Sequence, residues 1–174
     1  MPERALCAVL SPELIEALRR RIDDAGRAVD HRFDSDHRVA PPVDAEELAS
    51  AESGLGFGLP DALREIYLNV ANGGFGPGYG LLGVVSGTTD DLGNTADSLY
   101  TLFAQTDPDD PKWSWRFQVV PFCYWGCAVY SCITPEGMVI GFDEGEWVEE
   151  EIPLDDWFEA WLAGALKQPV ARAS

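Results

Sequence analysis

Residues 52–85, ESGLGFGLPDALREIYLNVANGGFGPGYGLLGVV, hold the strongest local signals in the chain. Gly54, Gly56 and Gly58 break whatever helix precedes them. Leu59-Pro60 restarts one, because proline tolerates the first helical turn, where its missing N–H would be unpaired anyway. Leu63, Ile66, Tyr67 and Val70 recur at helical spacing and give this helix one apolar face. Asn72-Gly73-Gly74 stops it, since these residues take the left-handed conformation at a helix C-terminus. The chain then turns through Gly76, Pro77 and Gly78 into Leu81, Leu82, Val84 and Val85, which read as a buried strand. The module is helix, tight turn, strand, with no evident catalytic group.

Upstream, Asp44-Ala-Glu-Glu47 reads as a capping box opening a short helix, with Leu48, Ala51 and Leu55 on its apolar side. Glu52 falls near its end, where the helix dipole disfavours an acid. A specific partner is therefore expected for it, such as backbone N–H groups of the following glycine turn. Ser11-Pro12-Glu13 starts an earlier helix, lined by Leu14, Leu18, Ile22, Ala25 and Val29. Arg19, Arg20 and Arg21 within it, flanked by Glu16, Asp23 and Asp24, read as a solvated, ion-paired face. His31, Asp34, Asp36 and His37 match no zinc or Ca²⁺ spacing and lie in a polar linker before Pro41-Pro42.

Downstream, residues 86–94 form a polar loop, and Thr95 caps a helix with Ala96, Leu99, Tyr100 and Phe103 inward. Asp107-Pro-Asp-Asp-Pro111 lacks a Ca²⁺ loop's spacing and reads as a solvated turn. From Trp113 the period becomes two. Residues 117–125, interrupted or edged at Pro121, then 128–133, 138–142 and 147–152, read as strands joined by short turns, an antiparallel meander. Pro153 or Asp155 opens the last helix, with Trp157, Phe158, Trp161, Leu162 and Ala165 on its apolar face. The expectation is one α+β domain, an antiparallel sheet of about four to six strands with helices packed around it. Residues 1–42 would be a helix and polar linker packed on the domain, 43–168 the domain, and 169–174 a fraying tail.

A chain of 174 residues, with six Trp, five Tyr and eight Phe, can bury a substantial core. No run approaches the roughly 18–20 apolar residues of a membrane helix, and the first ten residues do not make a signal peptide, so a cytoplasmic protein is expected. Cys7, Cys123, Cys127 and Cys132 form no C-x-x-C pair and read as buried thiols, with zinc or a disulfide as the alternative. Charge is more informative. The net charge is −18, and residues 1–38 are near neutral, leaving 22 acids against five bases in the rest. Such a field disfavours nucleic acid and anionic membrane and favours encounter with a basic partner.

The run Gly73-Gly-Phe-Gly-Pro-Gly-Tyr-Gly80 follows a helix and precedes a strand, the reverse of a phosphate loop's order, and has no Lys-Ser/Thr. Both histidines sit in one linker and no G-x-S-x-G occurs. With 30 carboxylates, acid pairs arise by chance; a hydrolase using two of them stays an open alternative. No catalytic, cofactor or metal site is assigned. What remains is surface: Asp107, Asp109, Asp110 and Trp113, then Glu144, Glu146, Trp147, Glu149, Glu150 and Glu151, combine carboxylates that steer with aromatic anchors that bury area. Tryptophans in the core and acids merely facing water are the alternative.

The central stretch resembles the SMI1/KNR4 (SUKH) superfamily: Glu52 before Leu55-Gly56, Leu59-Pro60 opening a helix, Asn72-Gly73-Gly74 closing it. Val120-Pro121-Phe122, Phe142-Asp143 and Asp155-Asp156-Trp157-Phe158 are similar to that family's later sheet and closing helix, so the resemblance runs over about residues 43–166. Residues 86–115 and the Cys-rich strand pair depart from it. The resemblance implies an α+β binding domain without a catalytic triad. Many bacterial members are immunity proteins that neutralise toxins, often nucleases, and fungal relatives are regulatory scaffolds. It also implies that Glu52, Gly56, Leu59, Pro60, Asn72, Gly73 and Gly74 are chiefly architectural. The function expected is a non-enzymatic immunity protein covering a basic toxin domain; a regulatory adaptor of the same fold is the alternative.

Overall fold

A computed structural model of the chain describes residues 10–24, 26–32, 38–105, 109–110 and 114–171. The helices are α1 (Pro12–Asp23), α2 (Ala45–Leu55), α3 (Asp61–Asn69), α4 (Ala96–Phe103) and α5 (Leu154–Leu162). The strands are β1 (Val120–Gly126), β2 (Val129–Ile133), β3 (Met138–Asp143) and β4 (Glu146–Pro153), in one antiparallel sheet ordered β1-β2-β3-β4. This is the expected α+β meander.

Helix α1 starts as its residues dictate, with Ser11 Oγ accepting the Leu14 N–H at 3.1 Å and Pro12 in the first turn. It stops at Asp23, short of residue 29. Asp24 leaves helical geometry and its carbonyl accepts from Arg27 N–H, so Val29 instead bridges Gly76. Leu14 and Leu18 are buried in the same cluster as α3 and α5. The arginine face is more than solvated charge. Arg19 donates to Asn69 O at 2.7 and 3.0 Å, capping α3's last carbonyl, and the Arg21 guanidinium lies 4.5 Å over Trp161.

Helix α2 is capped by Asp44 Oδ1, which accepts Glu47 N–H at 2.8 Å. It runs through Gly54 and ends where Gly56 takes a left-handed φ of 85°, so of the three glycines it is Gly56 that terminates it. Glu52 has the partner its position called for. Its Oε2 accepts the Leu59 N–H at 2.6 Å and its Oε1 lies 3.3 Å from Arg64 Nε, tying the end of α2 to the start of α3. Leu63, Ile66 and Tyr67 of α3 are fully buried.

Asn72 does not serve as a left-handed stop. It is buried, and its carboxamide pairs with Val84 like a neighbouring strand: Oδ1 accepts Val84 N–H at 2.8 Å and Nδ2 donates to Val84 O at 2.9 Å. Gly73 follows at φ 91°, and a Cβ there would stand 2.7 Å from Gly83 N and Leu81 O, so no side chain fits. The expected strand 81–85 is shorter and looser than its apolar run suggests. Tyr79 and Leu82 donate to Tyr124 O and Phe122 O, and Leu81 bridges Cys123, which covers the edge of β1. Val85, with φ 56° and 44 % exposure, has already left.

Strand β1 begins at Val120 rather than 117, because Val119 N–H bonds Arg116 O across a turn with Gln118 at φ 60°. Its register shifts between Pro121 and Cys123, as a proline that cannot donate requires. Opposed residues share a face, so Tyr130, Phe142 and Trp147 lie on one side and Ser131, Gly141 and Val148 on the other. The first face packs on Phe103 of α4 and on Trp115. On the second, Trp157 of α5 meets Phe122 at 5.1 Å. Residues 169–171, read as part of a fraying tail, are held against β3. Pro169 sits where a Gly141 Cβ would be only 2.4 Å away, and Ala171 N–H donates to Asp143 Oδ2 at 2.7 Å.

Candidate functional site

The acidic segment that composition singles out becomes the outer strand of the sheet. β4 pairs with β3 at residues 146–148 and again at Ile152 and Pro153, with the register shift between Val139 and Gly141. Glu149, Glu150 and Glu151 lie between the paired parts as a charged irregularity, a device that blunts an edge against further strand addition. Recognition by strand addition is thus disfavoured. Recognition by the carboxylates is not.

Between β4 and residues 167–171 lies a groove of about 710 Å³, with Glu146, Trp147, Glu149 and Glu150 along one side and Pro169 and Val170 along the other. It brings together four of the ten residues expected to bind a partner. Trp147, half-buried, belongs to a ring cluster with Trp115 at 4.6 Å and Phe142 at 5.1 Å. Its outer face is covered by the Arg116 guanidinium, 4.6 Å from the ring centre. Arg116 also pairs with Glu149, and that hydrogen bond holds the exposed Glu149 carboxyl below the usual carboxylate range. Among the described residues, the groove carboxylates not paired with Arg116 are therefore Glu146 and Glu150, and Lys167 also lines the groove.

The other expected residues are dispersed. Glu144 is exposed in the β3–β4 turn, where its N–H donates to Ala128 O at 3.2 Å, and Glu151 is exposed in β4 without lining the groove. Asp109 and Asp110 are exposed after α4, while Asp107 and Trp113 lie outside the described residues. Trp115, close in sequence to Asp109 and Asp110, is core, 9 % exposed with its indole N–H donating to Val119 O at 2.7 Å. Trp147 likewise anchors the fold's own ring cluster rather than projecting. Phe117 has no place among the expected surface residues: it reads as the first residue of a strand, yet lies before β1 and is 78 % exposed. No local signal marks it, since Gln118 is not a residue type that announces a left-handed turn position.

The buried polar side chains hold backbone or rings in place. Asp90 Oδ1 accepts from Leu92 and Asn94 N–H, Thr134 Oγ1 from Met138 N–H, and Ser131 Oγ from the Trp125 indole. Thr95 caps α4. The Tyr67 hydroxyl donates to Leu82 O at 2.7 Å, and burial pushes its pKa up. Tyr124 is pushed up to about 12 by burial and then by Asp91. Among the described residues no group of three or more His, Cys, Asp or Glu is placed to hold a metal, and no helix is long and apolar enough to cross a membrane. His31 lies 5.6 Å from the Tyr79 ring; the rest of its motif, Asp34, Asp36 and His37, is outside the described residues.

Among solved structures, the chain is similar to a protein from Pseudomonas syringae pv. tomato known from its crystal structure. The two are 22 % identical, with a TM-score of 0.49, over 87 % of this chain and 98 % of that one. Comparison with curated proteins gives no match. The model of the SMI1 / KNR4 family (SUKH-1) matches residues 42–164, a span that takes in the Glu52 brace, the Asn72 clamp, the whole sheet and α5, and the chain belongs to that family.

Proposed function

We propose that this chain is a non-enzymatic immunity protein that neutralises a basic, nuclease-like bacterial toxin domain by covering it with acidic surface. The observation that carries this is the acidic outer strand, where Glu146 and Glu150 border a groove large enough for side chains of a partner. A nuclease must be basic to hold phosphates, which makes it complementary to a chain of net charge −18. Domains of this family are in general not enzymes, and the buried polar groups here are engaged in holding the backbone, which favours binding over turnover.

The test is co-expression with toxin-domain genes adjacent to its own, scoring rescue of growth and co-purification. For a rescued toxin, association should slow roughly tenfold on combined charge reversal at Glu146, Glu150 and Glu151, and affinity should fall steeply with salt. Reversal at Glu149 alone should do less, because Arg116 already neutralises it. Binding indifferent to salt would rule out the electrostatic mechanism, and failure to rescue any adjacent toxin would count against immunity.

A further inference from the structure

Residues 115–119, which lead into β1, are fixed at every position but one. Trp115 is buried and bonded to Val119 O, Arg116 is stacked on Trp147 and paired with Glu149, and Val119 is buried. Gln118 N–H donates to the Tyr100 hydroxyl at 3.0 Å, and Gln118 keeps a left-handed φ of 60° at a turn position where glycine is usual. Phe117 is the one exposed residue of the five, with 78 % of its surface exposed, and it is the one aromatic among the large exposed apolar side chains of the described residues.

A large ring carried on an ordered, locally strained backbone has already lost the backbone freedom that docking would otherwise remove. That is the property of an interface anchor, whereas a loop aromatic without fixed neighbours would lack it. Its surroundings specify the partner. One residue away, the Arg116–Glu149 pair borders the groove, where Val148 and Val170 are apolar and Glu146 and Glu150 acidic. A second copy of this chain is a poor occupant, because two bodies of charge −18 repel.

We propose that Phe117 is the apolar anchor of the partner interface, receiving a protein segment that presents apolar side chains among lysines and arginines, whose cations face Glu146 and Glu150. This rests on the basic-partner proposal above and adds to it a hot spot outside the acidic segment.

The test titrates the ¹⁵N-labelled chain with two synthetic probes: an amphipathic leucine–lysine peptide, and a lysine peptide of equal charge lacking leucine. The expected result is that the leucine–lysine peptide shifts amide resonances of residues 116–119 and 146–150. It should bind Phe117→Ser about tenfold more weakly than the unsubstituted chain. Leu92→Ser and Leu102→Ser, which remove other exposed apolar side chains, should bind it normally, and the lysine peptide should bind all four proteins alike. The amide spectra also establish that each variant is folded. Equal affinity of Phe117→Ser, or equal losses at Leu92 and Leu102, would overturn the anchor while leaving the basic-partner proposal standing. If neither peptide binds at low salt, the basic-partner proposal fails and the anchor falls with it.

Discussion

Replacing Asn72 with alanine removes both halves of the clamp on Val84. The carboxamide accepts Val84 N–H at 2.8 Å and donates to Val84 O at 2.9 Å, with Asn72 3 % and Val84 0 % exposed. Truncation leaves the buried Val84 N–H without a partner, while Val84 O keeps its bond from Gly87 N–H at 2.9 Å and loses only its second donor. The orphaned N–H costs about 1–3 kcal/mol and the lost second bond to Val84 O about 0.5–1.5 kcal/mol; water entering the vacated space returns part of the sum, so a loss of about 2–3 kcal/mol is expected. Against a typical domain stability of about 5–15 kcal/mol this is large. Urea unfolding followed by tryptophan fluorescence reads it as a midpoint lower by roughly 1–3 M at unchanged slope.

Asn72→Asp separates the hydrogen-bond account from simple loss of packing. A carboxylate can accept Val84 N–H but places negative charge against Val84 O; only the protonated acid restores the donor. Burial and that carbonyl raise the folded-state pKa above the unfolded value of about 3.9. The folded state then binds the extra proton more readily, so the variant's deficit relative to the parent narrows as pH falls towards about 4 and is full above the raised pKa. A loss under about 1 kcal/mol for Asn72→Ala, or a pH-independent deficit for Asn72→Asp, would refute the clamp.

Glu52→Ala should lower stability by about 1–3 kcal/mol in the same assay, because Leu59 N–H loses its charged acceptor, with little contributed by the half-exposed Arg64. Gly141→Ala puts a Cβ 2.4 Å from Pro169 Cβ; lying outside any helix or strand, the segment moves aside, so hydrogen exchange at Ala171 should accelerate while global stability changes by less than about 1 kcal/mol. Unchanged protection at Ala171 would mean that Pro169 is not seated on β3. Burial holds the Cys123 and Cys132 thiols well above their usual range, with Asp30 adding to the shift at Cys123, whereas Cys127 is exposed. In a Cys7→Ser background at pH 8, a thiol reagent should label Cys127 first and the other two only on unfolding; comparable native rates would contradict the packing.

The residues by themselves determined the local grammar of this protein. Ser11, Asp44 and Thr95 cap helices because a side-chain oxygen one or two bonds from Cβ reaches N–H groups within the next turn. The two-residue period after β1 yields a meander because the turns between its strands are short. The order Glu52, Leu59-Pro60, Asn72-Gly73-Gly74 carried the family, although what Glu52 and Asn72 bind only became specific in three dimensions. Tertiary structure decided everything that depends on a distant neighbour. Asn72 looked like a helix stop and is a clamp, because Val84 is brought opposite it. Among the aromatics, composition could not separate core from surface: Trp115 and Trp147 pack into a ring cluster, and Phe117, two residues from Trp115, faces water. The acids of β4 were legible as a charge run, but a charge run has no geometry. It gained a groove only when Gly141, lacking a side chain, let Pro169 settle across the sheet beside it.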